Sequence, residues 1–474
     1  MAIKFGSDGW RGIIGEDFTL DNVARITAAV CQWWPDERAN CVTVGYDNRE
    51  LSLEAAVHVC RVFELLKPDI TVFFPYEPCP SPFISWATHY NNSPIGIQIT
   101  ASHNPPSYNG VKLKGSYGGS LVSKDVEAIE RIANSISSLP AVLPETRYEQ
   151  EDDIEYEYQM QLDYGGATLV GNSNSRPFAY DHTCGQKLIV DQMHGATNIY
   201  LRVLGEVHEI THRIRNFRDP TFGGSKPEPL EHLLPELIQR IKDANDGTIG
   251  LAFDGDGDRL AVIDETGAYL QSHEIFALLL DFLARSGYEG SKVVTSVSFA
   301  SLPGRIAQSY GYEVIETPVG FKHVSEAMLA GGVLIGGEES GGAAFGHYLP
   351  ERDALLMALT LLRAKGEAGV TLHEMLRDIY TRFGRSEFVH VDVQLDPTSA
   401  QEFRTRIPSL MEVSTLAGES VTTRSDQDGV KLRTANGWVL VRASGTEPLG
   451  RFYAEAGNKA DAQRMIEDVR SKLL

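Results

Sequence analysis

The sequence predicts an α/β protein built from four successive units, three of mixed α/β type and a last one of α+β type. Two observations carry this reading. Short β-branched or apolar runs alternate with stretches whose apolar residues recur at three and four, the pattern of βαβ units, as far as Gly384. Past Gly384 the pattern becomes period-two strands and one closing helix.

Residues 41–46 (CVTVGY), 70–74 (ITVFF) and 95–100 (IGIQIT) read as buried strands bounded by turn residues. Between them Leu20–Trp34 and Ser52–Leu66 have helical spacing, with Asp21 and Ser52 as candidate N-caps. The alternation recurs in 188–191 (LIVD), 249–256 (IGLAFDGD), 292–297 (KVVTSV), 312–317 (YEVIET) and 332–337 (GVLIGG). Helices are predicted over Glu228–Ile241, Glu274–Leu283 and Asp353–Ala364. The last unit reads as strands 388–395 (FVHVDVQL) and 438–444 (WVLVRAS), then a helix over Ala460–Leu473. The acidic stretch Tyr148–Tyr158 marks a first boundary, or equally a solvated helix start. The units are expected at 1–155, 156–268, 269–384 and 385–474.

Length alone, at ~150 residues per domain, would predict roughly three domains for 474 residues. With 43 Lys+Arg against 64 Asp+Glu the formal charge is −21, and such a surface repels nucleic-acid backbones. One basic cleft could still bind a small phosphate ester. The five cysteines, Cys31, Cys41, Cys60, Cys79 and Cys184, form no CxxC pair, which argues against a disulfide framework or structural zinc and fits a reducing compartment. MAIKFGSDGW lacks a signal-peptide core, and no run of ~18 apolar residues follows. A cytoplasmic protein with neither nucleic-acid nor membrane partners is expected.

Chemistry concentrates in five motifs. In Asp254-Gly-Asp-Gly-Asp-Arg259, three carboxylates alternate with residues that let the loop curl, a hard oxygen set suited to Mg²⁺ or Ca²⁺. An EF-hand places Asp254, Asp256, Asp258 and Glu265 at its ligand positions, but its glycine position holds Arg259 and strand-like runs flank it. An arginine beside the ligands suits a site that also grips phosphate. Thr100-Ala-Ser-His-Asn-Pro puts Ser102 at the tip of a strand-to-turn transition. GxSxG is absent, and adjacent residues of an extended segment point apart, so a catalytic triad built on Ser102 and His103 is not expected. Arg442-Ala-Ser-Gly-Thr, with Arg451 behind it, has the composition of a phosphate-binding turn. Gly336-Gly-Glu-Glu-Ser-Gly-Gly342 could hydrogen-bond sugar hydroxyls, and Phe5-Gly-Ser-Asp-Gly-Trp-Arg-Gly12 surrounds Arg11 with turn formers. The Asp254 loop also reads as a bland acidic turn, Ser102 as a capping or turn serine, Ser444-Gly-Thr as a plain turn and Gly336–Gly342 as an ordinary glycine-rich strand end, and the opening motif says little by itself.

In this order, from Gly6 to Arg451, the motifs resemble the α-D-phosphohexomutase superfamily, whose members interconvert hexose 1- and 6-phosphates. The resemblance implies four domains around a central cleft, a phosphoserine at Ser102 and Mg²⁺ held by Ser102, Asp254, Asp256 and Asp258. It implies a hexose 1,6-bisphosphate as intermediate and activator. Arg11, His103 and Lys112 match positions near the reacting phosphate, with Lys112 as general base. Arg259, Lys322, His323, Glu338 and Ser340 match substrate contacts, and Arg442, Ser444, Gly445 and Thr446 the phosphate loop of the last domain. The partner implied is a phosphosugar, and the assembly a monomer or homodimer.

Sugar choice stays open. Phosphoglucomutases often carry GEES and an aromatic residue, phosphomannomutase/phosphoglucomutases GEMSGH, and glucosamine-phosphate mutases GEQSGH. This chain has GEESGG, with Gly342 where histidine would stand. Its GSDGWRG lies near the GTDGIRG of the glucosamine branch. Glucose or mannose leads, and phosphoglucosamine mutase is the alternative. A Mg²⁺-dependent sugar-phosphate phosphatase would share the loops but release phosphate steadily, and a pure binding protein requires neither the serine nor the aspartates. The last domain is expected to move, with Gly384 as its hinge.

Overall fold

The structure, a computed structural model, describes residues 2–36, 39–137, 149–150, 158, 185–444 and 448–474. Four main sheets follow one another along the chain. The first runs, in spatial order, Trp10–Ile13, Tyr108–Gly115, Ile95–Ile99, Cys41–Tyr46, Thr71–Phe74 and Glu149–Gln150. Cys41–Tyr46 and Ile95–Ile99 are parallel, lie at its centre and are buried along their whole length, as their continuous apolar runs require. Tyr108–Gly115 is antiparallel to both its neighbours in that order.

The second sheet runs Tyr269–Leu270, Leu260–Ile263, Ile249–Phe253, Lys187–Asp191 and Glu209–Ile214. The third runs Glu313–Thr317, Lys292–Ser296, Val333–Gly337 and Ala343–Phe345. The fourth is antiparallel throughout: Glu387–Gln394, Leu449–Ala456, Gly437–Ala443, Val430–Arg433 and Thr423–Ser425. Three α/β units and a closing α+β unit are therefore present, with helix Lys459–Leu473 packed on the last sheet.

One apolar core joins the second and third units. Helix Ser272–Arg285 runs through it, buried continuously from Ile275 to Leu283: that stretch is apolar except for Asp281, whose carboxylate is paired with Arg382. Phe83 and Trp86, from helix Ser81–Tyr90 of the first unit, enter the same core. The fourth unit has its own core and meets the third through Val297, Trp438, Leu440 and Tyr453.

Several expectations are corrected. The first helix ends at Trp33, and its cap is Thr19, which accepts from Asn22 N, rather than Asp21. Leu51, in left-handed conformation, caps the second helix, so Ser52 lies inside it. Glu228–Ile241 is not one helix: Pro229 and Pro235 split it into a short 3₁₀ turn, Glu231–Leu233, and a helix, Pro235–Ala244. Asp353 caps Ala354–Ala368 rather than lying within it. Tyr148–Tyr158, apart from Glu149–Gln150 and Tyr158, lies outside the described residues, as do Cys184, Gly445 and Thr446. The other four cysteines are free and buried. No described helix is long and apolar enough to cross a membrane.

The consecutive residues Glu351, Arg352 and Asp353 are all buried, at a point where the units meet. Glu351 accepts from Lys114 of the first sheet and, at 2.8 Å, from Ser85 Oγ of the helix beside it. Both charges of the Lys114–Glu351 pair are out of water, so neither can lose its partner cheaply. Lys114→Met is expected to destabilise the protein by about 3–5 kcal/mol, and Lys114→Met/Glu351→Met to recover most of that loss. Thermal unfolding of the three proteins checks this; equal losses in single and double variants would contradict it.

Candidate active site

Four of the motifs begin at or immediately past the carboxyl end of a strand. Ile95–Ile99 leads to Ser102, Ile249–Phe253 to Asp254, Val333–Gly337 to Glu338, and Gly437–Ala443 to Ser444. Open α/β sheets bind ligands at that end. The first three loops converge.

Ser102 is fully buried and has φ 52°, a left-handed conformation that costs a non-glycine residue energy. The conformation is held from outside. Its N–H donates to Thr100 Oγ1 at 2.8 Å, and Arg49 clamps the loop through the carbonyls of Ser102, Asn104, Pro105 and Tyr108 at 2.5–2.9 Å. Asp47 holds the clamp in place: it lies 3.3 Å from Arg49 Nε and accepts from Thr100 Oγ1 and Ser52 Oγ, each at 2.6 Å. This turn also overturns one expectation. The segment is not extended, and His103 Nδ1 lies 3.3 Å from Ser102 Oγ. Burial, and then Arg259, Arg11 and Lys112, push the His103 pKa well down, so the ring is neutral. No described carboxylate orients it, so the pair does not extend to a triad.

Ser102 Oγ donates to Asp254 Oδ2 at 3.0 Å. Asp254, Asp256 and Asp258 are fully buried, and one oxygen from each lies within 4.8 Å of the others. Burial, and then Asp258 and Asp256, raise the Asp254 pKa well above the usual carboxylate range. Burial pushes the Asp256 pKa up as well, but Lys112 and the hydroxyl of Ser81 together outweigh it, and the net displacement is downward. Asp256 Oδ1 and Asp258 Oδ1 are buried with no hydrogen-bond donor. Two orphaned acceptors beside a third carboxylate fit a hard divalent cation. Strands flank the loop on both sides, which excludes the EF-hand.

Cations reach this loop from other units. Lys112 Nζ lies 2.7 Å from Asp256 and 2.9 Å from both Asp258 and Asp8. Against burial, these carboxylates raise its pKa, so it stands as an ammonium ion. Arg352 Nη2 lies 2.6 Å from both Asp8 and Asp258, and its Nη1 lies 3.4 Å from Glu338. Arg259 binds Glu228 at 3.2 Å. Arg11 donates to Asn104 Oδ1 at 2.5 Å and faces Asp8 at 3.7 Å.

Glu338 accepts from Gly320 N at 2.8 Å, which ties its loop to the turn before Lys322 and His323. Burial pushes its pKa up to about 7. His323 faces Glu326 at 3.7 Å, and burial, then Lys322, lower its pKa. Ser340 Oγ is buried without a hydrogen-bond partner. In the fourth unit Arg442 faces Asp428 at 3.2 Å, and Asp428 accepts from Val319 N of the third. Ser444 N donates to the Leu449 carbonyl at 2.9 Å, and the Ser444 carbonyl accepts from Arg404 Nη2 at 2.8 Å.

Asp8, Asp47, Arg49, Glu228 and Arg352 were not singled out from sequence. Arg352 had a legible signal: three successive charges precede the run ALLMALTLL, which is apolar enough to be buried all round. A Cβ on Gly342 would come within 2.2 Å of Arg352 Cδ, so the guanidinium arm runs through the space a side chain at 342 would need.

Four family models match in order: the phosphoglucomutase/phosphomannomutase α/β/α domains I, II and III over residues 2–140, 172–267 and 271–383, and the C-terminal domain over 400–472. A phosphoglucomutase/phosphomannomutase of Thermococcus kodakarensis is 30% identical, over 98% of this chain and 97% of its own. A phosphoglucosamine mutase of Alkaliphilus metalliredigens is 26% identical over the whole of both chains. A crystal structure from Thermus thermophilus, provisionally named a phosphomannomutase, superposes with a TM-score of 0.83 at 28% identity over 99% of both chains. With all four domains matched in sequence and fold, this chain belongs to the α-D-phosphohexomutase superfamily, a family of phosphoryl-transferring isomerases.

Proposed function

We propose that the protein interconverts hexose 1-phosphate and hexose 6-phosphate, with glucose or mannose as the sugar, through a phosphoserine at Ser102 and a hexose 1,6-bisphosphate. The observation that carries this is a buried serine hydroxyl, held in a strained turn 3.0 Å from a triad of buried aspartates. The four domains are taken as 1–155, 156–268, 269–384 and 385–474.

Asp254, Asp256 and Asp258, with an oxygen on Ser102, would hold Mg²⁺, which supplies charge neutralisation to the transferring phosphoryl group. A phosphoserine brings roughly −2 charge. Arg11, Lys112 and the neutral His103 face that charge and stabilise it as it spreads during transfer. Lys112 as found is a proton donor. It serves as a base toward a sugar hydroxyl only after the carboxylates around it are neutralised, since three of them hold its proton in place. Ser340 and Glu338 meet the sugar, Lys322 and His323 its flank. Arg259 contacts the ligand beside the metal loop. Arg442 and Ser444, with Gly445 and Thr446, grip the phosphate that is not reacting. The bisphosphate then turns end over end, so that its other phosphate returns to Ser102.

Phosphoglucosamine mutase is the second reading, supported by the GSDGWRG opening and by relatives of that name. ³¹P NMR with Mg²⁺ and a trace of glucose 1,6-bisphosphate tests both readings. Glucose, mannose and glucosamine 1-phosphates are offered separately. One 1-phosphate resonance is expected to convert to a 6-phosphate, and Ser102→Ala to lose that conversion by at least ~10³-fold. Steady release of inorganic phosphate, or full activity of Ser102→Ala, would replace the mutase by a phosphatase. A chelator is expected to abolish turnover and Mg²⁺ to restore it; undiminished turnover in chelator would refute the metal reading.

Gly342→Ala is expected to push Arg352 off Asp8 and Asp258 and lower kcat/KM by about 10–100-fold, the scale of an ångström of misplacement. Wild-type kinetics in this variant would mean that the guanidinium is not needed where it lies.

A further inference from the structure

A second cationic site lies away from the catalytic cleft. Where Gly384–Ser386 joins the third and fourth units, a cavity of about 330 Å³ opens between helix Leu302–Ser309 and the turn Thr434–Asn436. Arg305, Arg385 and Arg433 line it, together with Ser301, Asn436 and Glu455. It is of small-metabolite size, at the lower end of the ~300–1,000 Å³ usual for ligand pockets.

Three arginines and one carboxylate line the wall. Its one carboxylate, Glu455, is only 3% exposed and accepts from Ser301 N at 2.6 Å, Trp438 Nε1 at 2.7 Å and Ser386 Oγ. Those donors outweigh burial and lower its pKa, which keeps it ionised. Each arginine is anchored. Arg305 gives Nε and Nη2 to the carbonyls of Phe383 and Gly384, at 2.9 and 3.1 Å, Nη2 also to Ser386 Oγ at 3.2 Å, and its Nη1 lies 3.6 Å from Glu455. Arg433 gives Nη2 to both oxygens of Glu316, at 2.8 and 2.7 Å. Arg385 pairs with Glu387 at 3.0 Å and stacks on Tyr380, while its side chain stays two-thirds exposed. Glu316 and Glu387 do not line the cavity. Guanidinium groups held by such anchors match the oxygens of a phosphoryl group. In a chain of charge −21 such a concentration of arginine is a local exception.

We propose that this cavity binds a small phosphoryl dianion and thereby regulates the enzyme. The ligand would touch Arg305 of the third unit, Arg385 of the connection and Arg433 of the fourth. Its affinity then depends on how the units are oriented, and bound ligand favours the orientation seen here. Holding the fourth unit still slows the release and turning of the bisphosphate, so the ligand lowers kcat rather than competing with substrate. The kinetic consequence rests on the mutase reading; the binding site does not.

Inorganic phosphate is the probe, with the Mg²⁺-loaded full chain as wild type, Arg385→Gln and Asn436→Asp. Calorimetry is expected to find one more phosphate bound per wild-type chain than per variant chain, or an affinity at that site at least tenfold weaker in the variants. Without phosphate all three proteins turn over alike. Added phosphate lowers kcat at saturating substrate in the wild type only, while any rise in KM from the catalytic cleft is common to all. Equal binding stoichiometry and affinity in the three proteins would overturn the site, and a kcat effect of equal size in all three would overturn its regulatory role. Were the mutase reading itself to fail, no protein would turn over, yet the difference in bound phosphate would stand.

Discussion

Three carboxylates buried within 4.8 Å of one another cannot all remain ionised unless cations are brought to them, and that constraint organises the molecule. Asp254, Asp256 and Asp258 lie on one loop of the second unit, and the charges that compensate them come from elsewhere. Lys112 arrives on a strand of the first unit, and Arg352 from a segment of the third. Asp8, near the amino terminus, binds both cations and closes the network. The units are therefore joined at the cleft by ion pairs that none of them could satisfy alone. Removing one member strands another without water, which ties the electrostatics of the reaction to the assembly of the fold.

The strain at Ser102 has the same origin. A serine hydroxyl at the end of a buried strand would ordinarily follow the strand or turn inward. The left-handed turn sets it against Asp254, and Arg49 makes that turn affordable by taking up four loop carbonyls at once. Burial of Arg49 removes competition from water, and Asp47 fixes its direction. The Ser102 hydroxyl is thus positioned by the fold itself, as the proposed transfer of a highly charged group requires.

Much of this was legible in the sequence, for a physical reason. Parallel strands buried on both faces read as continuous apolar runs, so CVTVGY and IGIQIT were unmistakable, and the motifs could be placed at their ends. Tyr108–Gly115 was hidden because it alternates lysines with apolar residues, YNGVKLKG, and both lysines are buried by ion pairs that no local pattern announces. The remaining misses share that feature. Asp8, Arg49 and Arg352 are charged side chains whose partners lie in other segments, and composition assigns such residues to the surface. The triad of aspartates was visible because its repulsion is local; its compensation was not, because that is tertiary.

The interchange of side chains at Gly342 shows how far the coupling reaches. Arg352 passes where a side chain at 342 would lie, and its guanidinium joins Asp258 of the metal loop to Glu338 of the sugar loop. Glu338 has its oxygens engaged by Gly320 N and Arg352, so its position is fixed, in the same loop as the unpartnered hydroxyl of Ser340. The carbonyl of Gly341 accepts from Leu260 N, immediately past the aspartate loop. Two loops so joined cannot shift independently. A change that widened the sugar side would move Arg352, and with it the charge balance around Asp258. Under the proposed function, the electrostatics of phosphoryl transfer would then constrain sugar choice through Arg352.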